Sequence, residues 1–127
     1  MRAYVDSDVL IWHLRGEQKA LACLRRLREG TDFELWVGAM QRAEVVFFMR
    51  LEEEEGTRLF LSQFKTAPMD QAIVDKAGSL YRRWAPSHGI DANDALLAAT
   101  AMITGGKIVC LNVKHYPMPE IVAEKAW

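Results

Sequence analysis

The stretch GIDANDALLAATA, residues 89–101, combines two aspartates with a helix that is apolar on nearly every face. A helix of this kind is buried among other elements of a folded protein. Asp91 and Asp94 are three residues apart at the start of the helix, which is the spacing of a capping pair, and we interpret Asp91 as the cap. Asp94 is then a carboxylate at the N-terminus of a buried helix and a candidate functional residue.

The sequence on either side of this helix predicts an α/β fold. The apolar run KIVCLNV (107–113) follows it and predicts a buried strand, and RAYVD (2–6) and DFELWVG (32–38) predict two earlier ones. Helical segments separate the strands, and the chain ends in a short last strand or a tail. Right-handed crossovers would join the strands into a parallel sheet. The predicted fold is a three-layer α/β/α arrangement with a central parallel sheet.

Three local patterns set the expected limits of the helices. Ser7 or Asp8 is expected to cap the helix that follows the first strand. Residues 39–65 are expected to be helical, with a division or bend at Gly56. Pro86 and Gly89 are expected to close the helix that precedes the alanine-rich one.

Composition excludes several classes of protein. The chain has 127 residues, half of them hydrophobic, which suits one domain with its own core. Its net charge of -1 argues against binding polyanions by bulk charge. Cys23 and Cys110 lie outside metal-ligand spacing and suit core positions in a reducing cytosol. Asp6 and Asp8 interrupt the N-terminal apolar run, which excludes a signal peptide and a membrane span there, so we expect a cytoplasmic protein.

Four oxygen-bearing side chains are predicted to meet at one edge of the sheet. Asp6 follows the first strand, and Glu44 lies beyond the second. Asp94 begins the apolar helix, and Asn112 follows the late strand. The functional crevice of such a sheet lies at the carboxyl ends of its strands, so all four can share that edge. Converging oxygen ligands suit Mg²⁺ or Mn²⁺, which can activate water against a phosphodiester.

Structural explanations remain open for these acids on spacing alone. Asp6 can simply end a strand, and Glu44 can lie on the exposed face of its helix beside the apolar run 45–48. Asp94 is the hardest to explain in this way, because Asp91 already serves as the cap.

Four stretches, in collinear order, resemble the PIN domain of the VapC type, the ribonuclease toxins of toxin–antitoxin pairs. They are YVDSDVLIWHLRG, WVGAMQRAEVVF, HGIDANDALLAATA and KIVCLNVKHYPMP. Each motif is weak by itself, but four at compatible spacing are specific, and the likeness extends from Arg2 to about Pro119. The resemblance implies that residues 1–127 form a single PIN domain.

The resemblance also implies roles for the acidic residues. Asp6, Glu44 and Asp94 match three acids that bind metal, and Asn112 matches the fourth position, which ligates through its carbonyl or through water. Glu44 would bind metal or act through water as a general base. The implied activity is that of a Mg²⁺- or Mn²⁺-dependent endoribonuclease that hydrolyses RNA.

Further roles implied by the resemblance concern the rim of the site and the partners. Ser7 matches a hydroxyl residue that would orient the first acid or a bound water. Arg15, Lys114 and His115 flank the segments that carry the acids, and each is either a phosphate contact or simply a solvated surface charge. Cys110 departs from the family's usual Thr or Ser, which changes local hydrogen bonding. The implied partners are RNA, a VapB-like antitoxin and a second copy of the chain, with no membrane.

Two other functions remain open from the sequence. The chain could be a catalytically silent PIN-fold binding module that acts through a protein partner, although the intact acidic set disfavours this. A phosphohydrolase with Asp6 as its nucleophile is disfavoured because Val9 and Leu10 stand where a Gly-Thr pair is expected.

Overall fold

The computed structural model describes residues 1–30 and 32–127, in which strands and helices alternate. The strands in these residues are β1 Arg2–Val5, β2 Glu34–Gly38, β3 Lys65–Ala67, β4 Lys107–Cys110 and β5 Ala123–Lys125. The α-helices are α1 Ser7–Leu14, α2 Gln18–Glu29, α3 Ala39–Val46, α4 Glu54–Leu61, α5 Gln71–His88 and α6 Ala92–Thr104, and short 3-10 helices cover Leu51–Glu53 and Val113–His115.

The five strands form one parallel sheet in the order β3-β2-β1-β4-β5. Strand β1 is central, and Tyr4 pairs with Trp36 of β2 on one side and with Ile108 of β4 on the other. All carboxyl ends of the strands therefore lie along one edge, as the sequence predicts.

Helices cover both faces of the sheet. Successive strand residues point to opposite faces, so Ala3 and Val5 of β1 pack with α1, α2, α3 and α4, whereas Tyr4 packs with α5 and α6. Helix α6 is buried nearly all round, and Leu97 on it is fully buried. Burying one such leucine contributes about 1.5–3 kcal/mol. The predicted three-layer α/β/α fold is confirmed.

The prediction of a helical region over residues 39–65 is wrong in two respects. Helix α3 ends at Val46, and the break falls at residues 47–50 rather than at Gly56, which lies inside α4. Residues 65–67 form β3, an edge strand in which Lys65 pairs with Trp36. The strand is only three residues long and carries no apolar run, so pairing with β2 determines its conformation.

One predicted helix end is wrong, and another is confirmed in part. Asp6 caps α1, because its side chain accepts a hydrogen bond from the backbone N–H of Ser7, and the helix begins one residue earlier than a cap at Ser7 would place it. Gly89 ends α5 with a left-handed φ of 63°, as predicted, whereas Pro86 lies within the last turn of that helix. The short last strand is confirmed as β5.

The two cysteines are buried, as predicted, and burial raises the pKa of each thiol. The pKa of Cys110 rises to about 12 because the carboxylates of Asp6, Asp8 and Asp94 add to the effect of burial. Across residues 1–30 and 32–127, no helix is both long enough and apolar enough to span a membrane.

Candidate active site

The carboxyl ends of β1 and β4, helix α3 and the start of α6 enclose a cavity of about 190 Å³. Its lining residues are Asp6, Ser7, Asp8, Glu44, Asp91, Asn93, Asp94, Asn112 and His115. Five of them carry carboxyl groups, and no lysine or arginine is among these described lining residues. The structure therefore brings together all four of the oxygen-bearing side chains that the sequence predicts at this edge.

Asp6 is held from two sides. The backbone N–H of Ser7 donates to its Oδ1 at 2.8 Å, and the hydroxyl of Tyr116 donates to its Oδ2 at 2.6 Å. Burial raises the pKa of the Asp6 carboxyl to about 7, and the charges of Asp8 and Asp94 add to that effect. The two hydrogen bonds act in the opposite direction, because each stabilises the carboxylate.

Asp94 both completes a helix cap and faces the cavity. Asp91 caps α6 by accepting the N–H of Asp94 at 2.8 Å, and Asp94 Oδ2 accepts the N–H of Asp91 at 3.0 Å. The other oxygen of Asp94 lies 3.5 Å from the Tyr116 hydroxyl. Burial is the main cause of the raised pKa of Asp94. The prediction that Asp91 is the cap is confirmed, but Asp94 shares that role and is not free of it.

Asp8 is a further acid of the cavity that the sequence analysis did not assign to the site. Its Oδ1 accepts the N–H of Val9 at 2.7 Å, and its Oδ2 accepts the N–H of Leu111 at 3.2 Å. Burial raises the pKa of the Asp8 carboxyl. Asp8 thereby connects the start of α1 to the end of β4, and its place two residues after Asp6 is the sequence signal that could have indicated it.

Glu44 reaches the cavity from the second turn of α3. Burial is the largest cause of its raised pKa, and the charge of Asp91 adds to it, whereas the Ser7 hydroxyl beside Glu44 acts in the opposite direction. The same hydroxyl lies 3.5 Å from Asp6 Oδ1, so Ser7 stands between the two acids.

Asn112 contacts the acids through His115. The Asn112 Oδ1 accepts the N–H of Lys114 at 3.3 Å, which turns its amide nitrogen toward His115 Nε2 at 3.1 Å. The amide is a donor, so this ring nitrogen is the acceptor and the neutral imidazole carries its hydrogen on Nδ1. His115 Nδ1 lies 3.3 Å from Asp94 Oδ2.

The two basic side chains predicted near the site lie outside the cavity. The Lys114 side chain is exposed and does not line it. Arg15 lines a neighbouring groove of about 360 Å³ between α1, α3 and α4. Glu44 borders both the groove and the cavity, and so connects the two.

The donor set of the cavity suits a hard divalent cation that keeps part of its water. Carboxylates crowded at low exposure raise one another's pKa, and a cation would neutralise them. Over residues 1–30 and 32–127, no three His, Cys, Asp or Glu side chains are grouped so as to hold an ion by themselves. Mg²⁺ needs only one or two carboxylates, with water completing its shell, so the cavity fits such an ion.

Comparison with known proteins agrees with this geometry. Residues 3–116 match the PIN domain. Ribonuclease VapC10 of Mycobacterium tuberculosis is 38% identical to this chain over 117 residues, which are 91% of this chain and 86% of that protein. The chain is a PIN domain of the VapC family. The predicted resemblance is confirmed.

Solved structures share the fold of this PIN domain. VapBC-1 from nontypeable Haemophilus influenzae superposes with a TM-score of 0.80 at 16% identity and covers 99% of this chain and 98% of that one. A toxin–antitoxin complex from Klebsiella pneumoniae superposes with a TM-score of 0.77 at 22% identity and covers 94% and 95%. At these identities the likeness supports the PIN-like α/β/α fold.

Proposed function

We propose that this PIN domain is a metal-dependent endoribonuclease toxin that hydrolyses RNA phosphodiester bonds and is inhibited by a cognate antitoxin. The observation that carries the proposal is the cavity in which five carboxyl groups meet, with no lysine or arginine among the lining residues that the structure describes. A relative that covers most of the chain, VapC10, is named a ribonuclease.

Mg²⁺ or Mn²⁺ would be held by Asp6, Asp94 and Glu44, in part through water molecules, because these side chains are not grouped closely enough to hold an ion by themselves. When bound, such an ion supplies positive charge that lowers the pKa of water and balances phosphate oxygens. The backbone N–H groups of Ser7 and Asp91 fix the carboxylates of Asp6 and Asp94 before any ligand arrives. Glu44 has no such backbone clamp and a raised pKa, which suits a base that accepts a proton from water. Asn112 acts on Asp94 through His115.

The RNA backbone would approach from the rim of the cavity. Arg15 lies beside Glu44, and Lys114 is exposed next to Asn112, so both can contact phosphates that flank the cleaved bond. The Ser7 hydroxyl, between two acids, can orient water or a substrate oxygen. We place this activity in the cytoplasm, where the two buried, unpaired cysteines suit reducing conditions.

The antitoxin would bind in the groove beside the cavity. The groove combines apolar side chains, such as Ile11 and Phe48, with the carboxylates of Glu44 and Glu53. A partner segment with apolar residues and one basic side chain matches that surface, and its cation would compete for Glu44. Inhibition would then follow from blocking one of the acids. The solved toxin–antitoxin complex from Klebsiella pneumoniae has the same fold.

A second copy of the chain is the other proposed protein partner. Val74 and Tyr81 are both about half exposed on α5, on the face of the molecule opposite the groove-bearing helices. Apolar side chains exposed on one helix suit a contact between identical subunits.

Incubating purified, antitoxin-free protein with total RNA in Mg²⁺ or Mn²⁺ tests the function. We expect discrete cleavage that EDTA stops and that Asp94→Asn abolishes, because the variant keeps the side-chain shape at α6 but removes a carboxylate. Asp75→Asn is the matched control, since Asp75 is exposed on α5 away from the cavity.

The remaining outcomes separate the proposed nuclease from a silent binding module. If wild-type protein binds Mn²⁺ but leaves total RNA intact, and Asp94→Asn arrests growth as strongly as wild type, the protein acts through a partner and the nuclease proposal is wrong. Growth arrest by wild type alone would instead indicate a narrow RNA substrate that the pool contains too rarely.

A further inference from the structure

Tyr116 contacts both Asp6 and Asp94. Its side chain is only 4% exposed, and its hydroxyl donates to Asp6 Oδ2 at 2.6 Å. The same hydroxyl lies 3.5 Å from Asp94 Oδ1. One phenol therefore spans the carboxylate at the end of β1 and the carboxylate at the start of α6.

Packing accounts for the ring of Tyr116 but not for its hydroxyl. The ring belongs to the core between the sheet and helices α5 and α6, together with Ile108 and Met118, where a phenylalanine would fill the same space. A buried hydroxyl costs free energy unless it is hydrogen-bonded, and a bond to a carboxylate is among the stronger kinds. The acceptors that satisfy the Tyr116 hydroxyl are the two acids of the site.

The Tyr116 hydroxyl restrains Asp6 Oδ2, the oxygen to which no backbone N–H donates. The N–H of Ser7 fixes Asp6 Oδ1, so without Tyr116 the other oxygen would have no donor and the carboxylate could turn away from its place. Each Asp6 oxygen accepts one strong hydrogen bond in this arrangement and keeps a lone pair for a further ligand.

We infer that Tyr116 is a positioning residue whose hydroxyl holds Asp6 and Asp94 at the separation that receives a divalent cation. The inference rests on the proposed function, in which the cavity binds Mg²⁺ or Mn²⁺. Tyr116 itself does not bind the ion; it fixes the rotamers of the two acids that do. Loss of a group that orients metal ligands typically weakens binding about 10- to 100-fold.

Mn²⁺ titration of wild-type protein, Tyr116→Phe and Tyr4→Phe, by calorimetry or by the electron paramagnetic resonance of free Mn²⁺, tests this. Tyr4 is an informative control because it is also fully buried, with its hydroxyl 2.7 Å from Thr104 Oγ1 and outside the cavity. We expect Tyr116→Phe to bind Mn²⁺ about 10- to 100-fold more weakly than wild type, and Tyr4→Phe to bind as wild type does. Circular dichroism should show that both variants are folded.

RNA cleavage provides a second measurement of the same inference. Because Tyr116 acts through the cation, excess Mn²⁺ should restore cleavage by Tyr116→Phe to nearly the wild-type rate. A variant that binds Mn²⁺ weakly but stays inactive at saturation would show that Tyr116 acts on the reaction itself, which overturns a positioning role.

The possible failures are distinguishable. Wild type that binds Mn²⁺, with Tyr116→Phe equal to it, overturns the inference and leaves the proposed function standing. Equal weakening by Tyr4→Phe also overturns it, since the effect would then come from general loss of stability. Wild type that binds no Mn²⁺ overturns the metal-dependent function and the inference with it.

Discussion

Replacing Asp6 with asparagine should stabilise the metal-free protein while abolishing RNA cleavage. Asparagine has nearly the same shape as aspartate, and its Oδ1 can still accept the N–H of Ser7. Its amide group can donate to the Tyr116 hydroxyl, which can then turn toward Asp94. The substitution therefore removes one negative charge from a crowded cavity, while the Ser7 N–H and the Tyr116 hydroxyl each keep a partner.

The pKa of Asp6 sets the size and the pH range of this effect. The carboxyl titrates at about 7 in the folded protein instead of the reference value of 3.8, so the folded state binds a proton more tightly than the unfolded state. Stability is therefore highest at low pH and falls as the pH rises from about 4 to about 7. The free energy of unfolding lost over the whole range is about 4 kcal/mol at most, and about 2–3 kcal/mol of it is lost between pH 5 and pH 8.

Urea or thermal unfolding in EDTA at pH 5 and pH 8 measures this difference. We expect Asp6→Asn to have a higher free energy of unfolding than wild type at pH 8, and this difference should be smaller at pH 5. Each kcal/mol of difference should move the midpoint temperature of unfolding by about 3–5 °C in a domain of this size. Asp75→Asn, at an exposed position on α5, should show no such widening gap. The reasoning is refuted if Asp6→Asn is less stable than wild type at pH 8, or if the gap is the same at both pH values.

Four further outcomes follow from the same contacts. Added Mn²⁺ should raise the unfolding midpoint of wild type more than that of Asp6→Asn, because only a state that binds the ion is stabilised by it; equal shifts would place the ion elsewhere. Asp91→Ala removes the cap of α6 and should cost about 1 kcal/mol in urea unfolding. It should also slow cleavage by loosening Asp94, and an unchanged rate would contradict this. Leu97→Ala leaves a cavity at a fully buried position on α6 and should lower the free energy of unfolding by about 2–5 kcal/mol, well above the effect of an exposed substitution. Phe48→Ser should weaken antitoxin binding, measured by calorimetry, and leave antitoxin-free cleavage unchanged; loss of cleavage would mean that Phe48 serves the site itself.

The sequence predicts the architecture because alternating apolar runs and helical segments determine a parallel sheet. Strand β3 could not be found in this way, since its three residues, 65–67, are ordered by pairing with β2 and lie at the edge of the sheet. The break after α3 was missed for a different reason. The run EVVFF suggests a buried helix, but Phe47 and Phe48 follow the last residue of α3 and are 75% and 81% exposed. Phe48 borders the groove.

The site residues were predictable as a set, but their contacts were not. Parallel strands present their carboxyl ends at one edge of the sheet, and this rule alone predicts that Asp6 and Asn112 lie close together, independent of their side-chain conformations. That Asn112 reaches Asp94 through His115 depends on the turn after β4. Tyr116 lies 110 residues from Asp6 along the chain, and no local pattern indicates that its hydroxyl points back to the first acid.

The kind of donor that holds each acid explains why the cavity can still bind a cation. Lysine or arginine side chains would neutralise clustered carboxylates more strongly, but they would occupy the positions that an ion needs. In this protein the donors to Asp6, Asp8 and Asp94 are backbone N–H groups, the Tyr116 phenol, the Ser7 hydroxyl and the His115 imidazole. Such donors stabilise negative charge only in part, as the raised pKa of Asp6 shows, and each carboxylate keeps lone pairs for a further ligand.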